Sequence, residues 1–255
     1  MNKSPGKVGL FISCMVDFTR PQVGFAATKL LQDTGFQVCV PSQTCCAQPA
    51  YNNGNRLEAI EIAKITIAAF EACEHVIVPS ASCAGMIKYH YPSLFKDDPD
   101  WREKALNISN RTHELVTFLY SIAQMKKTQA AYNGPIYFHQ SCSARREMKC
   151  EGAQELLQTI EGAQIIEMPN NESCCGFGGL FSVKYDEISN AMVSKKVAPL
   201  PNNKEAILTG LDLGCLLNMA GKLHKQGNPI QVRHIAELLA GEFTGQDISP
   251  APARR

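Results

Sequence analysis

His75-Val76-Ile77-Val78-Pro79-Ser80-Ala81-Ser82-Cys83 is a short apolar run, a proline and then a cysteine. Valine and isoleucine suit a strand, and Pro79 cannot donate to a ladder, so the strand must end where the loop to Cys83 begins. Two runs upstream likewise lead into cysteine, one of them through a proline. Val8-Gly9-Leu10-Phe11-Ile12 leads to Cys14, and Phe36-Gln37-Val38-Cys39-Val40 leads through Pro41 to Cys45-Cys46. Between these runs, Gly24 to Leu31 and Leu57 to Ala72 carry helical spacing, closed by Gly35 and bounded by the Asn52-Asn53-Gly54 turn. The order βαβαβ predicts a parallel sheet with right-handed crossovers. Each cysteine then falls at a strand's carboxyl end, where open parallel sheets collect their ligands.

The second half repeats the plan. Ile136-Tyr137-Phe138 precedes Cys142, Gln164 to Met168 precedes Cys174-Cys175, and Ala206 to Thr209 precedes Cys215. Helices are predicted at Ala153 to Ile160, Glu187 to Val197 and Cys215 to Leu223. A last unit, Ile230-Gln231-Val232 into His234 to Leu239, echoes Thr112 to Leu119. Cys14 to Cys45 is 31 positions and Cys142 to Cys174 is 32; Cys46 to Cys83 is 37 and Cys175 to Cys215 is 40. The expected fold is therefore α/β, with two pseudo-symmetric Rossmann-like halves. We expect a first cysteine-rich repeat over 1–130, a second over 131–245 and a disordered tail over 246–255.

Eight of the eleven cysteines belong to this duplicated constellation. Buried cysteine often acts as a small hydrophobe, but chance burial does not repeat its spacing. Disulfides suit small secreted domains, whereas 255 residues can bury an ordinary core unaided, and Val8 to Val16 is too short and lacks the cleavage site of an export signal. A metal or iron–sulfur centre is the leading reading. Thiolates hold iron–sulfur clusters, and the peptide N–H groups of a glycine-rich turn such as Cys174-Cys175-Gly176-Phe177-Gly178-Gly179 favour the negative charge. Four cysteines also satisfy tetrahedral zinc, although adjacent Cys-Cys pairs with long arms fit the usual ligand spacing poorly. Direct thiol chemistry by the adjacent pairs is a third reading.

Composition narrows the class. A net charge of +1 with 19% charged residues provides no basic stripe for nucleic acid, and no apolar run reaches the roughly 20 residues a bilayer demands. The expectation is a cytoplasmic protein without a transmembrane segment.

Cys174 to Gly179, Cys45-Cys46-Ala47-Gln48-Pro49-Ala50-Tyr51-Asn52, Pro79-Ser80-Ala81-Ser82-Cys83 and Asp212-Leu213-Gly214-Cys215 resemble the cysteine-rich CCG-domain proteins. The early Cys14 and Tyr91-Pro92-Ser93-Leu94-Phe95-Lys96-Asp97-Asp98-Pro99 make the chain most similar to the lactate utilization protein A branch, over roughly residues 7 to 240. Four thiolates per set suit a four-iron, 4Fe-4S core, one or two in number, and the resemblance implies a part in L-lactate oxidation to pyruvate, acting with B- and C-type companion proteins. The duplicated spacing gives Cys14, Cys45, Cys46 and Cys83 as one expected ligand set and Cys142, Cys174, Cys175 and Cys215 as the other. Other relatives are cysteine-rich subunits of heterodisulfide reductase, glycolate oxidase and anaerobic glycerol-3-phosphate dehydrogenase. A zinc-stabilised assembly scaffold is the alternative from a different class.

Two departures stand out. Heterodisulfide reductase relatives carry a fifth cysteine three residues beyond the last, where this chain has Met86 and Asn218. Ala47 replaces the first glycine of the motif, which predicts a less open turn and unequal sites. Cys39 and Cys73 read as core, Cys150 is undecided, and His139 reads as a satisfied strand-end histidine rather than a sulfur partner or proton carrier. Arg145, Arg146, Lys149 and Lys184 flank the second set as solvated loop charges that could also offset cluster charge.

Overall fold

In a computed structural model that describes residues 6–248, the apolar runs become eight strands in two sheets. The first comprises β1 (Lys7–Leu10), β2 (Gln37–Cys39), β3 (His75–Val78) and β4 (Thr112–Glu114), in the order β2-β1-β3-β4. The second comprises β5 (Ala131–His139), β6 (Glu161–Glu167), β7 (Ile207–Gly210) and β8 (Gln231–His234), in the order β6-β5-β7-β8. Every pairing is parallel. Gly9 stands opposite Cys39, Leu10 opposite Ile77 and Val78 opposite Glu114. In the second sheet Phe138 stands opposite Glu167 and His139 opposite Gly210. The fold is thus the α/β duplication expected.

This order explains where the cysteines meet. The chain leaves β1 toward one side to form β2 and returns on the other to form β3, so a crevice opens at the carboxyl end of β1. β1, β2 and β3 are the strands that feed Cys14, Cys45-Cys46 and Cys83. β5, β6 and β7 repeat the arrangement.

A parallel sheet must be covered on both faces. In the first half Val8, Leu10 and Ile77 face the helix Pro21–Asp33, which buries Val23, Ala26, Ala27, Leu30 and Leu31. Val76 and Val78 belong to the cluster on the opposite face, with Ala59, Ala63 and Ile67 of the helix Arg56–Ala69. That helix buries Ala59, Ala63, Thr66 and Ile67; the helix Asp186–Val197 buries Ser189, Val193, Lys196 and Val197, the same face displaced by 130 positions. The helix Pro99–Arg111 was not expected from sequence. It is capped by Asp98 on the Trp101 N–H, and its inward stripe of Trp101, Ala105 and Ile108 is diluted by charge.

The halves share one core, because the cluster around Leu30 and Leu31 runs on into Ile136, Leu208, Ile235 and Leu238. A buried ion pair pins this junction: Arg20 donates from Nη2 to Glu237 Oε1 at 2.6 Å, and Glu237 Oε2 accepts from the His234 N–H at 2.9 Å to cap the helix Ile235–Leu239. Of the expected tail, Ile248 is buried and donates to the Val232 carbonyl at 2.8 Å, and Asp247 Oδ2 accepts from the Val232 N–H at 2.9 Å; residues 249–255 lie outside the described residues.

Glu237→Ala leaves the Arg20 guanidinium buried without its carboxylate and uncaps the last helix. It is expected to cost about 3–5 kcal/mol, read as a lowered urea midpoint at unchanged slope; an unchanged midpoint would refute this role for the pair.

Candidate metal centre

The strand ends deliver the thiols through capped helix starts. Ser13 Oγ accepts from the Val16 N–H at 3.3 Å, so the helix Cys14–Thr19 begins at the cysteine. In the second half Ser141, one residue before Cys142, accepts from the Ala144 N–H at 3.2 Å. Ser80 Oγ likewise accepts from the Cys83 N–H at 3.4 Å, and Asp212 occupies the cap before the helix Leu213–Lys225 that carries Cys215. All eight cysteines of both repeats line one cavity of about 280 Å³.

Within it, Cys14 and Cys45 sulfurs lie 3.9 Å apart, and Cys46 and Cys83 sulfurs 3.2 Å apart. The Gly176 N–H donates to Cys174 Sγ at 3.4 Å. Cys175, Cys215 and His139 each offer a donor atom, all within 4.8 Å of one another. Cys142 contacts Cys174 from the exposed side.

The thiols perturb one another. Hydrogen bonds from Cys14 and then Cys46 hold the Cys45 thiol down at about 3, while Cys14 and Cys46, as donors, are pushed up by those bonds and by burial. The Cys142 thiol is raised by its bond to Cys174 and by burial. Cys174 beside Cys175 favours the Cys175 thiolate, but the Cys215 contact and burial outweigh it. For Cys215 the contact with Cys175 favours thiolate, and burial and the Asp212 charge outweigh it. A group of thiols sharing so few negative charges is suited to a cation that neutralises all of them at once.

Asp212 ties the two sets together. Its carboxylate, 4% exposed, accepts from Ser80 Oγ at 2.8 Å and the Ser82 N–H at 2.9 Å in the first half, and from Ser141 Oγ in the second. Its motif, Asp212-Leu213-Gly214-Cys215, is visible in the sequence, but the cross-half bonding is not. Gly214 is bare because the Phe177 ring lies where a Cβ would stand, joining this motif to Cys174-Cys175-Gly176-Phe177.

The expectation of a less open turn at Ala47 is corrected: Ala47 adopts φ 70°, the same left-handed conformation as Gly176 at φ 80°. The difference lies in the surroundings. A Cβ at Gly176 would meet the Ser189 carbonyl oxygen at 2.8 Å, and Ser189 Oγ holds this turn by donating to the Gly176 carbonyl. Ala59 takes the corresponding place in the first half, and Ala47 is accommodated fully buried.

Other sequence candidates resolve individually. Cys39 and Cys73 sit outside the cavity with sulfurs 3.6 Å apart, and Cys150 also lies apart from it. Met86 is buried, and Asn218 Nδ2 donates to the Cys175 carbonyl at 2.8 Å, so it buttresses the Cys-Cys turn. Arg145 clamps the preceding loop through the Asn171 and Glu172 carbonyls, and Lys184 bonds Asn53 across the halves, so neither is merely solvated. His139 is 1% exposed, and neither ring nitrogen has a hydrogen-bond partner, contrary to the satisfied histidine expected; burial first, then Lys196, lowers it to about 3. Lys196 was not anticipated: fully buried, it donates to the Asn170 carbonyl at 2.8 Å and lies close enough to the second set to feel its thiolates. The spacing of the buried helix face was the available signal.

Gly176→Ala should destabilise by roughly 2 kcal/mol or more, since left-handed strain adds to the collision with Ser189. Ala47→Gly should stay within about 1 kcal/mol, relief of strain being offset by unfolded-chain entropy. Equal effects in urea unfolding would contradict the distinction.

Comparison with known proteins agrees with this geometry. The cysteine-rich domain CCG matches residues 8–88 and 136–220, one copy in each half. Lactate utilization protein A of Oceanobacillus iheyensis is 40% identical over 91% of this chain and 96% of its own length. Lactate utilization protein A 2 of Bacillus cereus strain AH820 is 41% identical over 92% of this chain and 98% of its own. A solved structure of a hypothetical protein from Helicobacter pylori shares the fold at TM-score 0.63 and 8% identity, over 96% of this chain; the chain spans half the length of that protein. With a duplicated cysteine-rich domain and relatives matched along nearly their whole length, the chain belongs to the lactate utilization protein A family of CCG-domain proteins.

Proposed function

We propose that this chain is an iron–sulfur electron-transfer component of a system that oxidises L-lactate to pyruvate, acting with B- and C-type companion proteins in the cytoplasm. The observation that carries the reading is the convergence of eight cysteines, four from each repeat, on one cavity at the strand carboxyl ends. Relatives named for lactate utilization supply the substrate class. A cytoplasmic location belongs to the proposal because thiols kept free for a metal need a reducing compartment. Among the described residues no helix is long and apolar enough to cross a membrane.

The residues fit an anionic cluster. Cys14, Cys45, Cys46 and Cys83 would hold one centre and Cys142, Cys174, Cys175 and Cys215 the other, and 4Fe-4S centres bound there supply one-electron transfer for the two electrons that lactate oxidation releases. The chain's own part is to position the thiols, direct the Gly176 N–H at Cys174 Sγ, and place the Lys196 charge near the second set. Leu180, Val183, Tyr185 and Ile188 are exposed just past the Gly178-Gly179 turn, an apolar face beside the cavity that suits a companion protein.

A zinc-stabilised assembly scaffold is favoured by one observation. The sulfur separations of 3.9 and 3.2 Å bracket the roughly 3.8 Å between two thiolates on a tetrahedral zinc with Zn–S near 2.3 Å. Replacing Cys174 and Cys175 together by serine separates the readings. Under the electron-transfer reading growth on L-lactate is lost, growth on pyruvate persists, and a reconstituted complex assembles but passes no electrons from lactate. Electron transfer at the wild-type rate would favour the scaffold.

A further inference from the structure

We propose that a ring nitrogen of His139 is a ligand of the centre held by the second cysteine set, beside Cys175 and Cys215. This rests on reading that set as a metal centre. His139 ends β5, is 1% exposed, and has neither nitrogen in a hydrogen bond. Native interiors pair almost all such groups, so a buried imidazole left open on both nitrogens and within 4.8 Å of two cysteine sulfurs is placed to meet something at that position. The Asn171 side chain lies close enough to favour the imidazolium but outside hydrogen-bond geometry with either ring nitrogen, and it is held by the Gln140 N–H and by Glu167.

The duplication supplies an internal control. Three positions before Cys14, where His139 stands before Cys142, the first half has Phe11, fully buried and packed on Phe70 with ring centroids 5.8 Å apart. The fold therefore accepts an apolar ring in this slot. A second exchange accompanies the first: Lys196 replaces Thr66 on the matching helix face. Both changes make the surroundings of the second set less apolar or more positive, and neither serves the sheet. An imidazole ligand carries no charge, so in replacing one of the four thiolates it would lower the negative charge on the centre and raise its potential above that of the all-thiolate first centre.

The test uses the full chain, purified anaerobically and reduced with dithionite. Pulsed paramagnetic resonance should show a strongly coupled nitrogen that changes when the protein is grown with ¹⁵N-histidine and disappears in His139→Phe. If iron and sulfide are present but labelled and unlabelled proteins give identical spectra, His139 is not a ligand, and the iron–sulfur reading stands without it. If His139→Phe does not fold, the isotope label decides alone. If the protein holds zinc without iron or sulfide, the iron–sulfur reading falls. The ligand is then decided by zinc X-ray absorption: a nitrogen shell at about 2.0–2.1 Å that is lost in His139→Phe supports it, and a sulfur-only shell overturns it. A protein that takes up neither metal overturns it as well.

Discussion

The arrangement depends on a carboxylate that belongs to one half and is bonded by both. Asp212 takes hydrogen bonds from Ser80, Ser82 and Ser141, the residues that flank or cap the starts of the cysteine-bearing helices after β3 and β5. Bonds to a charged acceptor are stronger than neutral ones, and a buried carboxylate left unpaired is heavily penalised. The two strand-end crevices are therefore held face to face, and two four-cysteine sets become one cavity. The shared core and the Arg20–Glu237 pair fix the same junction.

Duplication provides the scaffold and divergence its polarity. The helix faces correspond residue for residue over Ala59, Ala63, Thr66 and Ile67 against Ser189, Val193, Lys196 and Val197. The left-handed residue after each Cys-Cys pair is likewise kept, as Ala47 and Gly176. The differences gather around the second set: the Ser189 backbone that leaves no room for a Cβ at Gly176 and the Ser189 hydroxyl that bonds the Gly176 carbonyl, the Lys196 charge, and His139 in the place of Phe11. One backbone plan thus holds two chemically unlike surroundings for sulfur.

Much of this was legible in the sequence. Apolar strand runs that lead into cysteine, four of the six through proline or glycine, repeated at a near-constant offset, specify a parallel sheet and the edge at which the thiols lie. The helix Pro99–Arg111 was missed although Trp101, Ala105 and Ile108 stand at helical spacing behind an Asp98-Pro99 start, because the charged residues between them mask so short a stripe. Nor was Asp212, whose partners are 71 to 132 positions away and whose role arises only once two sheets are opposed. His139 was legible as a candidate, but whether a buried histidine is satisfied depends on neighbours from other strands. Ala47 shows the reverse error: residue type alone suggested a different turn, yet the surrounding fold imposes the same one.

The central claim is that both cysteine sets serve a single metal-bearing cavity between the halves. Anomalous scattering at the iron edge from crystals grown without oxygen tests it most directly. The account predicts iron peaks inside that cavity, in contact with cysteine sulfurs from both repeats. Peaks confined to zinc, or a cavity whose eight sulfurs approach no metal in fully loaded protein, would contradict it.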